Sequence, residues 1–154
     1  IPATIALATV YAQTKNKEAL TLSDRLLQEY GTLADKEAYF IKGLYYTYNN
    51  NKQTAIHWFD EALKTSITFT DAYREKAIAL YDMGKYEDAL AVLNKAITLN
   101  NSFDEGYYYK GQCLEKLHRP DEAAEAYDLA LMYSPDYTEA KAALARLKTS
   151  TPAK

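Results

Sequence analysis

Between residues 70 and 103 the apolar positions fall into two short stripes. Ala72, Ala77, Leu80 and Met83 recur at the spacing of one helix face. Gly84 and Lys85 break the pattern, and Tyr86, Ala89, Leu90, Leu93, Ala96 and Ile97 then trace a second stripe. The segment reads as helix, tight turn, helix. The same pattern recurs in both directions on a 34-residue period, with Tyr39, Tyr73 and Tyr107 sharing one slot and Lys42, Lys76 and Lys110 another. Gly43, Ala77 and Gly111 stay in step, as do Ala55, Ala89 and Ala123, then Ala62, Ala96 and Ala130. Phe59, Leu93 and Tyr127 keep one bulky position. Registers held without a gap across three copies mark an internal repeat.

The three units, 36–69, 70–103 and 104–137, predict helices over 36–49, 53–66, 70–83, 87–100, 104–117 and 121–133, with no strand. The small residues of each first helix, facing the alanines of the second, let two antiparallel helices approach closely, and Leu93 or Tyr127 fills the flanking space. Residues 1–35 read as a degenerate repeat with helices near 3–14 and 17–30, closed by Gly31 as a C-cap. The alanine-rich stretch 136–148, with Glu139, Lys141, Arg146 and Lys148, reads as a closing helix whose outer face meets water. One domain over 1–148 is expected, followed by a disordered tail at 149–154.

These residues resemble the tetratricopeptide repeat (TPR) family. That family places an aromatic at its fourth position, small residues at its eighth and twentieth, a large one at its twenty-fourth and alanine at its twenty-seventh. All three units keep these slots. The proline often found at position thirty-two occurs only as Pro135, where Ile67 and Asn101 stand earlier, and the usual leucine at position seven is lysine throughout. The resemblance implies an all-α, right-handed superhelical solenoid of antiparallel helix pairs. It also implies a scaffold that binds a protein or peptide in a concave groove formed by the first helices. The family's groove slots fall on Glu37, Phe40, Leu44, Thr47 and Tyr48, on Asp71, Arg74, Ile78, Tyr81 and Asp82, and on Glu105, Tyr108, Gln112, Glu115 and Lys116. Phe40, Leu44, Tyr48, Arg74, Ile78, Tyr81, Tyr108 and Gln112 are the candidate partner contacts. Arg74, among Tyr48, Tyr81 and Tyr108, is expected to grip a carboxylate while peptide side chains pack on the rings. Core packing is the competing use of the apolar members. Relatives that hold the acidic tails of heat-shock chaperones carry lysine at the fifth slot and asparagine or arginine at the ninth. Here those slots hold Phe40 and Leu44, Arg74 and Ile78, Tyr108 and Gln112, so the two-carboxylate clamp is not expected.

Charge and composition narrow the partners. Eighteen basic and 21 acidic residues give a net charge of −3, and no basic block offers a stripe to a phosphate backbone or a membrane surface. Neither nucleic acid nor membrane insertion is expected. Only 5 glycines and 4 prolines leave little supply for the corners of a many-stranded fold. His57 and His118 lie in different units, and no glycine-rich phosphate loop, GxSxG or HExxH is present, so no catalytic residue, metal or cofactor is implied. Cys113, the single cysteine, occupies a packing slot and reads as buried filler; it leaves the compartment open between cytoplasm and periplasm. Glu87-Asp88 and Asp121-Glu122 open second helices, where acids suit the helix dipole. The lysines 42, 76 and 110 read as packed stems with ammonium groups in water, a phosphate-binding ladder being the alternative. Residues 1–12 are apolar but lack a basic start, so they read as a packed helix rather than a signal sequence. That helix, with Ile5, Leu7, Val10 and Tyr11, is expected to cover another repeat or to drive homodimerisation. Other readings stay open: a structural spacer or self-association segment of a larger protein, a fragment whose catalytic domain lies elsewhere, and RNA binding, which the acidic balance disfavours.

Overall fold

The computed structural model describes residues 1–150, which form two compact units, Ile1–Ala79 and a second that starts at Leu80. The helices are α1 (Pro2–Gln13), α2 (Glu18–Tyr30), α3 (Asp35–Tyr48), α4 (Lys52–Thr65), α5 (Thr70–Asp82), α6 (Tyr86–Leu99), α7 (Asp104–Lys116), α8 (Pro120–Tyr133) and α9 (Thr138–Ser150), with a single 3₁₀ turn at Gly31–Leu33. No strand occurs among the described residues. The repeat helices stand within one or two residues of their expected bounds. The closing helix differs: it starts at Thr138 and continues through Ser150, so Thr149 and Ser150, expected in a tail, belong to it. The rest of that expected tail, 151–154, lies outside the described residues. In the first unit α1, α2 and α3 pack on one another and α3 packs on α4; in the second, α7 packs on α6 and α8, and α8 on α9.

The turn inside each helix pair is the same device four times over. Lys15, Asn50, Gly84 and His118 take positive φ of 61°, 59°, 77° and 58°. At each, the left-handed residue donates its N–H to the carbonyl three residues back, and the next residue donates to the carbonyl five before it: Asn50 to Thr47 and Asn51 to Tyr46, or His118 to Glu115 and Arg119 to Leu114. This pair of hydrogen bonds satisfies the last carbonyls of a helix and turns the chain sharply. Only Gly84 adopts the conformation without strain; the others hold it against the cost of a Cβ.

Between the paired helices the backbones touch. Ala55, Ala62, Ala89, Ala96, Ala123 and Ala130 are fully buried, as are Phe59, Leu93 and Tyr127. A Cβ on Gly43 would lie 2.3 Å from the ring of Phe59, and one on Gly111 would lie 2.5 Å from the ring of Tyr127. Glycine is therefore required by the aromatic opposite it. The degenerate first repeat redistributes the same volume. Ala8 keeps a small buried slot, while Ser23 and Leu26, both fully buried, exchange the large-then-small order that Phe59 and Ala62 follow. Ser23 satisfies its hydroxyl by donating to the carbonyl of Ala19 at 2.8 Å.

Gly111→Ala should lower stability by about 1–3 kcal/mol, because the Tyr127 ring has nowhere to go. His118→Gly should raise it by about 1 kcal/mol, by removing the left-handed strain. Urea midpoints of the two variants test both; a destabilised His118→Gly protein would contradict the account of the turn.

Candidate functional site

The first helix of each repeat carries the candidate contacts, and the structure sorts them into two kinds. Leu44 is only 7% exposed and belongs to the first unit's core, so it is withdrawn as a surface contact. Phe40 is half-buried between Phe59 and Phe69, with ring centroids 5.7 and 5.1 Å away. Tyr108 repeats that arrangement in the second unit, 5.9 Å from Tyr127 and 5.0 Å from Tyr137. These aromatic clusters tie the first helix to the second and to the turn that follows. Both rings are therefore packing elements before they are anchors. The signal was in the chain: Phe59 and Tyr127 share one slot of the repeat, and Phe69, Phe103 and Tyr137 share another.

Arg74 is likewise engaged. Its guanidinium donates to Asp71 at 3.2 Å and to Glu75 at 3.3 Å, with one fifth of the side chain exposed. The expectation that it holds a partner's carboxylate meets two carboxylates of its own helix. Ile78 is half-buried, while Tyr48 is open, at 43% exposure. Two rungs of the lysine ladder are also paired rather than directed to water. Lys42 reaches Asp24 of α2 at 2.6 Å and lies 4.4 Å over the Trp58 ring, and Lys76 reaches Asp60 of α4 at 2.6 Å. Lys110 instead lines a cavity of about 150 Å³ with Asn94, Arg119, Glu122 and Glu125, and Asn94 stands one repeat period after Asp60.

The second unit brings Tyr81 and Gln112 together with three residues outside the candidate set, in an open recess of about 360 Å³ lined also by Glu115, Lys116 and Arg146. Glu115 is its hub. Arg146 of α9 donates to both its oxygens at 2.8 Å, and the Tyr127 hydroxyl of α8 donates to Oε1 at 2.5 Å. Burial pushes the Glu115 carboxyl up, but these hydrogen bonds outweigh it and hold the group below the usual carboxylate range. Burial and the same bond push the Tyr127 phenol up. Gln112 donates to the Tyr108 hydroxyl at 2.9 Å, and the exposed Lys116 ammonium lies 6.0 Å from the Tyr81 ring. Two cations against one carboxylate leave the recess with one formal positive charge. Arg146, assigned from sequence to a water-facing helix, stands one repeat period after Gln112; carrying the register into the closing helix would have found it. Cys113 is 1% exposed and burial raises its thiol to about 12, which keeps it protonated. Among the described residues no cluster of His, Cys, Asp and Glu could hold a metal ion, and no helix is long and apolar enough to cross a membrane.

Because the folded-state pKa of Glu115 is depressed, its contribution is complete above the unfolded carboxylate value and is lost as pH falls through the folded one. Stability of the parent should therefore fall between about pH 6 and pH 3 more steeply than that of Glu115→Gln. Equal slopes in denaturant titrations would show that the three-helix bond network is not formed.

A family model described as Tetratricopeptide repeat matches residues 74–137, and one described as Anaphase-promoting complex, cyclosome, subunit 3 matches residues 12–96. The Protein STIP1 homolog of Dictyostelium discoideum is 30% identical over 91 residues, covering 59% of this chain but only 16% of that protein. Among solved structures, the Arabidopsis OM64 TPR domain is 25% identical with a TM-score of 0.71, over 79% of this chain and all of that one. The first TPR of Spaghetti (RPAP3) bound to HSP90 peptide SRMEEVD is 22% identical, with a TM-score of 0.70 over 75% of this chain and 91% of that one. MamA is 21% identical, with a TM-score of 0.72 over 85% and 75%. Paired helices on an unbroken 34-residue register, matched by these models and folds, show that the chain belongs to the tetratricopeptide repeat family.

Proposed function

We propose that the chain is a protein-interaction scaffold and that its second unit takes an extended peptide segment on the first-helix face. The observation that carries this reading is the recess of Tyr81, Gln112, Glu115, Lys116 and Arg146. It is open to solvent, it is lined by side chains from three helices, and it mixes a ring face with fixed hydrogen-bonding groups. Such a surface recognises a peptide through one apolar side chain laid on Tyr81 and one carboxylate held by Lys116. Arg146 is committed to Glu115 and acts by keeping that carboxylate from competing for Lys116.

The peptide chemistry differs from that of the structural relative that carries SRMEEVD. A tail of that kind needs a lysine and an asparagine or arginine on successive first-helix turns. In the first unit those turns hold a packed Phe40 and a buried Leu44, then Arg74, bonded to Asp71 and Glu75, and a half-buried Ile78. In the second they hold Tyr108, enclosed by two rings, and Gln112, bonded to it. One carboxylate contact, set beside an aromatic face, replaces the two-carboxylate clamp.

Peptides selected against the immobilised chain from a random display library should include an acidic residue near an aromatic or aliphatic one. Lys116→Ala and Tyr81→Ala should each weaken them by about 1–3 kcal/mol without loss of helical signal. The peptide SRMEEVD should not bind measurably. Selected peptides that bind both of these variants as tightly as the parent would remove the recess as the binding site.

A further inference from the structure

The second unit leaves open a space that the first unit fills. In the first, Lys42 is enclosed: its ammonium reaches Asp24 at 2.6 Å and lies 4.4 Å over the ring of Trp58. Tyr39 stacks on that ring at 5.9 Å. Two repeat periods later Lys110 occupies the slot of Lys42, but Ala126 stands in the slot of Trp58. Asn94, one period after Asp60, stands where the acid would be. Tyr107, the counterpart of Tyr39, stacks on Tyr133 instead. The cavity of about 150 Å³ lies between Asn94, Lys110 and Ala126, where a ring and a carboxylate are missing. Its floor is Leu90, Leu114 and Ala126, all buried. Among the described residues no ion pair or hydrogen bond engages the Lys110 ammonium; Glu122 acts on it only at longer range.

What fills the slots in the first unit specifies what fits them in the second. An apolar-walled cavity of about this size holds a benzene ring. A ring laid on Ala126 would meet the Lys110 ammonium as Trp58 meets Lys42, and a carboxylate beside Asn94 would meet it as Asp24 does. Arg119 donates to Glu122 at 3.0 Å, so these two neutralise each other. Glu125 is exposed on the α8 wall, which sends an incoming acid to the opposite wall, along α6. The rim adds apolar surface on α8, where Leu129 and Met132 are exposed one turn apart. The matching slots hold Glu61 and Lys64, paired at 2.6 Å, on α4, and Lys95 and Thr98 on α6. Only here does an outward second helix present leucine and methionine, and it does so beside the unfilled cation.

We propose that the cavity at Lys110 is a docking site for a segment of a partner protein that inserts an aromatic side chain onto Ala126 and sets a neighbouring Asp or Glu between Lys110 and Asn94. The partner supplies in trans what Trp58 and Asp24 supply to Lys42 within the chain. The ring is the anchor, seated on a buried floor, and the acid fixes its orientation. This site shares no residue with the recess of Tyr81 and Lys116.

A random peptide display library, panned against the full chain carrying Tyr81→Ala and Lys116→Ala, tests this with the other recess silenced. Recovered peptides should carry an aromatic residue within one helical turn of an Asp or Glu. Added to methyl-labelled chain, such a peptide should shift the methyl resonances of Leu90 and Leu114. Lys110→Met keeps the aliphatic stem and removes the charge; it should weaken these peptides at least about tenfold, with circular dichroism unchanged. Asn94→Asp, at an exposed position, should weaken them as well, because Lys110 then pairs within the chain as Lys42 and Lys76 do. A recovered set without the ring-and-acid pairing, peptides that bind Lys110→Met as tightly as its parent, or unmoved Leu90 and Leu114 methyls would each overturn the proposal. Tighter binding by Asn94→Asp would overturn the placement of the acid beside Asn94.

Discussion

Everything in this fold hangs on how near the two helices of a repeat can come. At Gly43 and Gly111 the first helix has no side chain at all, and the space a Cβ would take is filled by the ring of Phe59 or Tyr127. That contact requires alanine at the flanking positions of the second helix and a turn short enough to keep the helices close. It also explains why residues as ill suited as Lys15 and His118 stay left-handed: packing of the helix pair outweighs a local cost of about 1–2 kcal/mol. The middle repeat carries Ala77 and Leu93 at the corresponding slots, a slightly larger small residue with a smaller large one.

The same ring then reaches outward. Phe59 touches Phe40, and Tyr127 touches Tyr108, so the buried slot is continuous with the face that a partner would meet. Tyr127 goes further, since its hydroxyl donates to Glu115 on that face and Glu115 is gripped by Arg146 from α9. Core packing in the second unit thereby orients the polar groups of the recess. An exposed ion pair alone would contribute little, but a bidentate one anchored by a buried phenol holds its carboxylate in a single position.

The first and second units use their outer chemistry differently. In the first, Lys42 and Lys76 close on Asp24 and Asp60, and Arg74 closes on its own helix's acids, so the cations on these first helices are engaged internally. In the second, Lys116 stays exposed over Tyr81. That contrast moves the candidate contact away from Arg74, which the linear order of groove slots favoured, to the far side of the chain's midpoint.

Periodicity determined a great deal without coordinates. A constant register in residue size, read with helical spacing, located the repeat helices, the turns and the close-packed slots, because steric volume and helical geometry act locally and repeat with the chain. It did not show which candidate residues are free. Whether Leu44 faces water or core depends on a modest rotation of its helix about the axis. Whether Arg74 can receive a carboxylate depends on Asp71 and Glu75 lying within reach, and whether Arg146 belongs to a site depends on α9 being placed against α7 through α8. Those are facts of relative position among side chains, and only the tertiary structure decided them.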